Sequence, residues 1–414
     1  MAGVTPVPEA LAQRFAWVDA PACRAVVAAL EATEPDCARF VGGCVRDAVL
    51  GREIADIDIA TSLAPEETMA ALAAAGLRRI PTGIDHGTVT AVIDGAPFEI
   101  TSLRADVATD GRHASVAFTQ DWDADWRRRD FTMNAIYVTP DKSLYDPAGG
   151  VADALEGRIR FIGDPTARIR EDYLRILRFY RFNARFGREI DMAGAAACAA
   201  EREGMRRLSA ERIRMEMVKL LVAPKAPAAL ERMAADGVLA EIWPTLTQTD
   251  VFSNLAALEE ALALPAEAMR RLAALASDDG AALARRLRLS NAETATLVKA
   301  LAAVEGLHPD MDAAAARRAA YWAGRQAFCD GLLLIWARSG ADATDASWRA
   351  FWDEMSAWEA PVFPLKGADI LAAGGAAGPE VGRVLETLET WWADADFPEE
   401  PALRAKLSEV MAGE

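Results

Sequence analysis

Cysteine is scarce and scattered in this 414-residue sequence: Cys23, Cys37, Cys44, Cys198 and Cys329, with no Cys-x-x-Cys pair. The odd count and the spacing argue against a disulfide framework and a structural zinc site, and fit a reducing, cytoplasmic setting. Histidine is scarcer still, at His86, His113 and His308. None has partners at metal-ligand spacing, and no His-Asp dipeptide occurs, so an HD-type hydrolase domain is not expected. His86, before Gly87-Thr88, reads as a turn or packing residue. No apolar run is long enough to span a bilayer. The start, MAGVTPVPEALAQRF, has neither the basic nor the apolar stretch of a signal peptide.

Positive charge is also in deficit, with a net charge of −17 that speaks at first against a nucleic-acid partner. The distribution of that charge points the other way. Residues 157–219 hold 15 Lys and Arg against 9 Asp and Glu, a net of +6, whereas residues 346–414 hold 5 against 13, a net of −8. A basic island thus sits in an acidic protein. A solvated helical face is the plain explanation, but these cations are mostly arginine, the better binder of phosphate and bases.

Hydrophobic residues make up 52% of the chain, enough for real cores, and the length allows two to four modules. Residues 38–160 read as mixed α/β. ARFVGG is a short apolar run ending in two glycines, and DIDIAT alternates with the period of a strand. HGTVTAVIDGAPFEITSLR reads as two strands turning at Asp94-Gly95. FTMNAIYV is another strand or a buried helix start. After Arg160 the pattern is helical throughout, and residues 209–222 place Arg212 and Glu216 at i, i+4 spacing. The tryptophans of residues 348–392 read as core.

The strongest chemical signal is Gly42-Gly43-Cys44-Val45-Arg46-Asp47 followed by Asp56-Ile57-Asp58. Two carboxylates at i, i+2 on a strand share a face, a geometry that suits a pair of Mg²⁺ ions. A Gly-Gly turn opening a helix lets backbone N–H groups approach a triphosphate, and Arg46 in the first turn can clamp its oxygens. Alone, the glycines are an ordinary turn and Asp-x-Asp an ordinary exposed strand. In this order, with a helix in the 12-residue gap between Gly43 and Asp56, the pair is far more specific.

FVGGCVRDAVLG and DIDIATSLAPEE resemble the signature of the polymerase-β-like nucleotidyltransferases. TGIDHGTVT, RRDFTMNAIYV, YDPAGGVADALEGRIRFIGDP, REDYLRILRFYRFNARFG and LSAERIRMEM resemble, in order, the blocks of bacterial class II CCA-adding enzymes and their poly(A) polymerase relatives. Together the blocks cover roughly residues 38–220, and the C-terminal half is similar mainly through FPLKGADIL and GPEVGRVLETLE. The resemblance implies an α+β fold: a polymerase-β-like palm, then an all-helical neck, body and tail. The expected segments are a helical 1–37, a head at 38–160, a basic neck at 161–223, a body at 224–345 and a tail at 346–414. It implies template-independent addition of CCA to the 3′ end of tRNA from CTP and ATP, with tRNA held by its acceptor region and no obligate protein partner. Poly(A) polymerase, CC-only and A-only enzymes share the blocks, and a catalytically dead RNA-binding module is opposed by the intact Asp56/Asp58 pair.

For individual residues the resemblance implies Gly43 and Arg46 at the triphosphate and Asp56 and Asp58 as Mg²⁺ ligands. Glu99, alternating with Phe98 and Ile100, matches the third acid, although a solvent-facing strand glutamate would look the same. Arg129 and Asp130 match a nucleotide-contacting pair at sugar and phosphates. Asp172 and Arg175 match the pair that selects the base, and at i, i+3 both would reach one face of a helix. An acid can accept from the exocyclic amine of cytosine or adenine, and an arginine can donate to cytosine N3/O2 or adenine N1. Guanine and uracil would leave those groups unpaired. A surface i, i+3 salt bridge is the alternative. Arg178 and Arg181 continue the spacing, with Arg181 turned half a revolution from Asp172 in an ideal helix. Arg104, Asp110, Arg112 and His113 match a flexible loop tied to the switch from C to A.

Overall fold

The structure is a computed structural model that describes residues 4–84, 87–109, 114–276, 279–303 and 306–412, with only the backbone described at 105–109 and 114–116. It divides into two compact units, Met1–Ile242 and Trp243–Glu414.

The first unit is built on an eight-stranded sheet. Its strands, in chain order, are β1 (Val4–Pro6), β2 (Ala38–Val41), β3 (Ile57–Thr61), β4 (Arg78–Gly83), β5 (Thr88–Ile93), β6 (Ala96–Ser102), β9 (Tyr137–Val138) and β10 (Ser143–Tyr145). A separate two-stranded ribbon supplies β7 (Arg104–Thr109) and β8 (Ala114–Phe118). Across the large sheet the order is β1-β10-β9-β2-β3-β6-β5-β4. Segment 1–37 is therefore not purely helical, because Val4–Pro6 pairs antiparallel with Ser143–Tyr145 at the sheet's edge. Strand period 2 sorts the faces. Phe40, Ile59, Phe98 and Ile100 are buried on one side, against helices Pro21–Glu31 and Pro65–Ala74. On the other side Val41, Ala60, Leu103, Tyr137 and Tyr145 form a second cluster.

Two expectations are met closely here. The β5–β6 hairpin turns at Asp94-Gly95, both with positive φ (50° and 84°), as a two-residue turn between right-twisted strands requires. FTMNAIYV takes both of its readings in turn, a 3₁₀ turn at Thr132–Asn134 and then β9.

The rest of the first unit is helical. Helices Pro165–Glu171, Leu174–Phe186 and Ala210–Leu221 carry most of the basic island. The middle one packs onto the sheet domain through rings: Phe131 lies 4.9 Å from Phe161, 6.4 Å from Phe179 and 5.2 Å from Phe182 by centroids. Phe179 and Phe161 stack at 12°. Each buried phenyl contributes about 1.5–3 kcal/mol of transfer free energy, so this cluster fixes the helix to the head as one core.

The second unit is all helix among its described residues, from Thr249–Ala261 to Glu400–Ala412. One of its cores holds Leu365, Ile370, Val384, Leu388, Trp392, Leu403 and Leu407. Trp348, Trp352 and Trp392 are buried, as expected, whereas Trp358 and Trp391 are only half-buried. A buried ion network crosses three helices: Arg270 donates to Glu259 (2.7 Å) and Asp330 (2.9 Å), and Arg271 to Glu259 (2.7 Å). No helix among the described residues is long and apolar enough to cross a membrane.

Candidate active site

The glycine turn comes first. Gly42 has φ 74° and ψ −125°, a conformation that only glycine adopts without strain. A Cβ there would sit 3.6 Å from Asp58 Oδ2 and 3.8 Å from Arg129 Nη1. The bare Cα thus keeps open the space between an acid and a guanidinium. Gly43 begins helix Gly43–Val49, and its missing Cβ faces Arg46 Nη2 at 3.8 Å.

Asp58 lies on β3 and Asp56 one residue before that strand, so the pair straddles the strand's start. β3 and β6 run parallel with Asp58 directly beside Glu99. Sheet register therefore brings to one point an acid that lies 41 residues further along the chain. Glu99 and Asp56 are exposed and Asp58 half-buried. The three carboxylates have no hydrogen bond or ion pair among the described residues. Burial pushes the Asp58 carboxyl up to about 6, Glu99 and Asp56 add to the rise, and Arg129 and Arg46 oppose it. Unpartnered, mutually repelling carboxylates fit a hard divalent cation. Among the described residues no group of three or more His, Cys, Asp or Glu side chains is placed to hold a metal ion. An open carboxylate pair suits Mg²⁺, which completes its shell with water and substrate phosphates.

Arg46 is buried and held on all sides. Its Nε and Nη2 donate to Asp47 (3.0 and 3.1 Å) and Nη1 to Asn134 Oδ1 (2.8 Å). Its guanidinium lies 4.5 Å from the Phe186 ring centroid. Three of five N–H donors are committed, and Nη2 still faces Gly43. Asn134 passes the connection on, donating to Asp130 Oδ1 (3.0 Å), while Asp130 Oδ2 accepts from Arg178 Nε (2.7 Å). Burial alone would raise the Asp130 carboxyl, but Arg178, Asn134 and the Phe131 N–H hold it below its usual range. Arg178 and Arg181 then share the buried Glu216 of helix Ala210–Leu221. A continuous polar line thus runs from the glycine-turn helix to the helical neck, wrapped around the Phe182 ring.

Arg129 is locked by Asp125, which accepts from its Nη2 at 2.9 Å and from Tyr137 Oη at 2.7 Å. Burial would raise Asp125, yet Arg129 and Arg128 pull it down to about 2.

The pair expected to select the base departs from its expected geometry. Asp172 and Arg175 do not share one helix face. The helix stops at Glu171, and Asp172 is extended (φ −153°, ψ 104°) before the next helix begins at Leu174. A local contact accompanies the break: Asp172 Oδ1 accepts from the Leu174 N–H (3.1 Å), closing a side-chain turn just before the second helix. Its Oδ2 accepts from Arg212 (2.7 Å). Arg175 is held instead by Glu171 (2.6 Å) and by the carbonyls of Arg168 (2.8 Å) and Arg128 (2.9 Å). The two are therefore not a surface salt bridge, and each is fixed separately. Likewise Arg212 and Glu216 do not pair with each other, but with Asp172 and Arg181 across helices. Arg181 is held by Glu216, and because Asp172 lies outside the helix the expected half-turn between the two does not apply.

The expected loop is in part a ribbon, with Arg104 opposite Phe118 and its N–H toward Asp125. Asp110, Arg112, His113 and His86 lie outside the described residues. Sequence reasoning missed Asp125, Asn134, Glu171 and Glu216. Asn134 and Asp125 were findable at four residues from Asp130 and Arg129, whereas the local signal at Glu216, its spacing to Arg212, pointed to a partner other than Arg181.

An acid pair beside a glycine turn, on a sheet joined to a basic helical neck, is the site of a nucleotidyltransferase. Residues 38–160 match the family model of the poly A polymerase head domain, and residues 189–249 that of the probable RNA and SrmB-binding site of polymerase A. A mitochondrial CCA tRNA nucleotidyltransferase 1 of Mus musculus is 34% identical over 379 residues, spanning 87% of this chain and 83% of that protein. A CCA-adding enzyme of Limosilactobacillus fermentum is 32% identical over 85% of this chain and 87% of its own length. The solved structure of the Bacillus stearothermophilus CCA-adding enzyme in complex with CTP superposes with a TM-score of 0.76 at 29% identity, covering 94% of this chain and 96% of that one. The chain belongs to the CCA-adding tRNA nucleotidyltransferases of the polymerase-β-like superfamily.

Proposed function

We infer that this protein adds CCA to the 3′ end of tRNA from CTP and ATP without a nucleic-acid template. The observation that carries the reading is the joining of two half-sites in one unit. Gly42, Gly43, Asp56, Asp58 and Glu99 gather where a triphosphate would sit, and Asp172 and Arg175 are held at the neck where a base would sit. In this reading Asp56 and Asp58, with Glu99 beside them, hold Mg²⁺. When bound, the metal activates the RNA 3′ hydroxyl and stabilises the leaving pyrophosphate. Arg46, steadied by Asp47 and Asn134, faces the triphosphate beside Gly43, with Arg129 across the Gly42 gap. Asp130 holds Arg178 and so ties the two half-sites together.

Base choice follows from donor and acceptor polarity. Asp172 accepts the amine that cytosine and adenine share, and Arg175 donates to the ring acceptor beside it. Guanine and uracil present the reverse pattern. The basic neck of residues 161–223 and the helical segments 224–345 and 346–414 hold the tRNA by backbone and shape. The low cysteine content fits action in the cytoplasm.

The test is incorporation. Protein is incubated with tRNA lacking CCA and labelled CTP alone, ATP alone, or both, and the product is sized. Two additions with CTP alone and three with both nucleotides are expected. A long ladder with ATP alone would make it a poly(A) polymerase, and arrest after CC or a requirement for CC would narrow it to a partial enzyme.

A further inference from the structure

In the second unit three helices enclose a groove. Helix Asn291–Ala302 contributes Thr296 and Lys299, helix Ala313–Ala323 contributes Trp322, and helix Arg325–Ser339 contributes Arg325 and Gln326. The groove has two lobes of about 390 and 350 Å³ that share Lys299 and Ala323. Its inner lobe is floored by alanines and Phe328. Trp322 is 52% exposed on the rim, whereas Trp336, Trp348, Trp352 and Trp392 are all buried. The Trp322 ring meets that of Tyr321 at 5.1 Å and 81°, and among the described residues no other ring or cation lies against it.

Charge at this place runs against its surroundings. Residues 243–414 hold 15 Lys and Arg against 26 Asp and Glu, a net of −11. Yet among the described residues lining the groove the one carboxylate is Asp330, which is buried and engaged by Arg270 and Gln326. Lys299 has no carboxylate partner among the described residues, and Arg325 touches only the Ser356 carbonyl. A large exposed ring costs solvation free energy and needs a reason. A flat indole with Lys299 in its own lobe and Arg325 in the adjoining one is the pattern with which proteins stack a base and hold the adjacent phosphate.

We propose that this groove is a second RNA-binding site. An unpaired base of the tRNA, outside its 3′ end, stacks on Trp322, and the neighbouring phosphates lie on Lys299 and Arg325. The proposal rests on tRNA being the substrate and names where the second unit grips it. A protein partner fits less well, because both charges left open at the groove are cations, which a polyanion matches along its whole length.

The test separates this grip from catalysis. Trp322→Ala, Trp322→Phe and Lys299→Glu are made in the full chain and their thermal midpoints measured, which should be near wild type because both side chains are outside the core. The dissociation constant for tRNA lacking CCA is measured at two salt concentrations, together with kcat and KM for tRNA and for CTP. Trp322→Ala should weaken tRNA binding about tenfold and raise KM for tRNA alike, with kcat and KM for CTP unchanged. Trp322→Phe should restore most of the affinity. Lys299→Glu should weaken binding and flatten its salt dependence. Wild-type affinity and KM for tRNA in both Trp322→Ala and Lys299→Glu would overturn the proposal, as would a change in self-association in place of RNA binding. A wild-type protein that extends no tRNA would instead sink the functional reading, and the binding constants would still decide the groove.

Discussion

Removing the Asp172 carboxylate tests base selection most directly, because the structure lets the structural and catalytic losses be worked out apart. In Asp172→Ala two contacts disappear from the free protein. One is the hydrogen bond from the Leu174 N–H at 3.1 Å, worth about 0.5–1.5 kcal/mol. The other is the ion pair with Arg212, between side chains 33% and 46% exposed, worth at most about 1 kcal/mol. The fold should survive with a modest fall in thermal midpoint. On the proposed base recognition, the amine of cytosine or adenine also loses its charged acceptor. That bond is worth about 1.5–3 kcal/mol, a loss of roughly one to two orders of magnitude in kcat/KM. The loss should fall on CTP and ATP alike, since one carboxylate serves both. Arg175→Ala should lose discrimination by a similar factor, and the Glu171 carboxylate that holds Arg175 would then stand without it. The assay is kcat/KM for all four nucleoside triphosphates on tRNA lacking CCA and on tRNA ending in CC. If both variants keep the wild-type preference for C and then A, base selection resides elsewhere in the neck. A defect in only one nucleotide would mean two separate base pockets.

Asp56→Ala and Asp58→Ala should each abolish incorporation of both nucleotides while tRNA affinity stays nearly intact; addition of CMP near the wild-type rate would refute the metal-ligand assignment. Arg46→Ala should raise KM for CTP and ATP together, because a phosphate clamp is blind to the base, and a defect confined to one nucleotide would count against it. Glu216→Leu should destabilise the protein by about 3–5 kcal/mol, since it strands the guanidinium of Arg181, 13% exposed, and weakens the hold on Arg178. Chemical denaturation measures this, and an unchanged midpoint would show that the neck does not depend on that carboxylate. Arg207→Ala should flatten the salt dependence of tRNA binding by close to one counterion, and Arg206→Ala by less, because Arg206 is already engaged by Glu241 (2.7 Å) whereas Arg207 lies against the Tyr173 ring. Equal salt slopes in wild type and Arg207→Ala would place the RNA elsewhere.

The sequence by itself determined what is local. Period-2 alternation marked β3 and β6, and Asp94-Gly95 marked the turn between β5 and β6, because strand faces and left-handed turns are set by neighbouring residues. The glycine turn and the Asp56/Asp58 pair were visible for the same reason. The +6 neck was visible as charge, but not as contacts. What tertiary structure decided is which charges meet. Glu99 reaches Asp58 only because β3 and β6 run side by side in parallel register. Arg46 finds Asn134 across 88 residues, Asp172 finds Arg212 across 40, and Arg181 finds Glu216 across 35. In the sequence Arg212 stands one helical turn before Glu216, and local pairing is the natural guess. Packing of the neck helices around the phenylalanine core overrides that guess. It buries Glu216, where an unpaired charge costs several kcal/mol and a distant partner removes that cost.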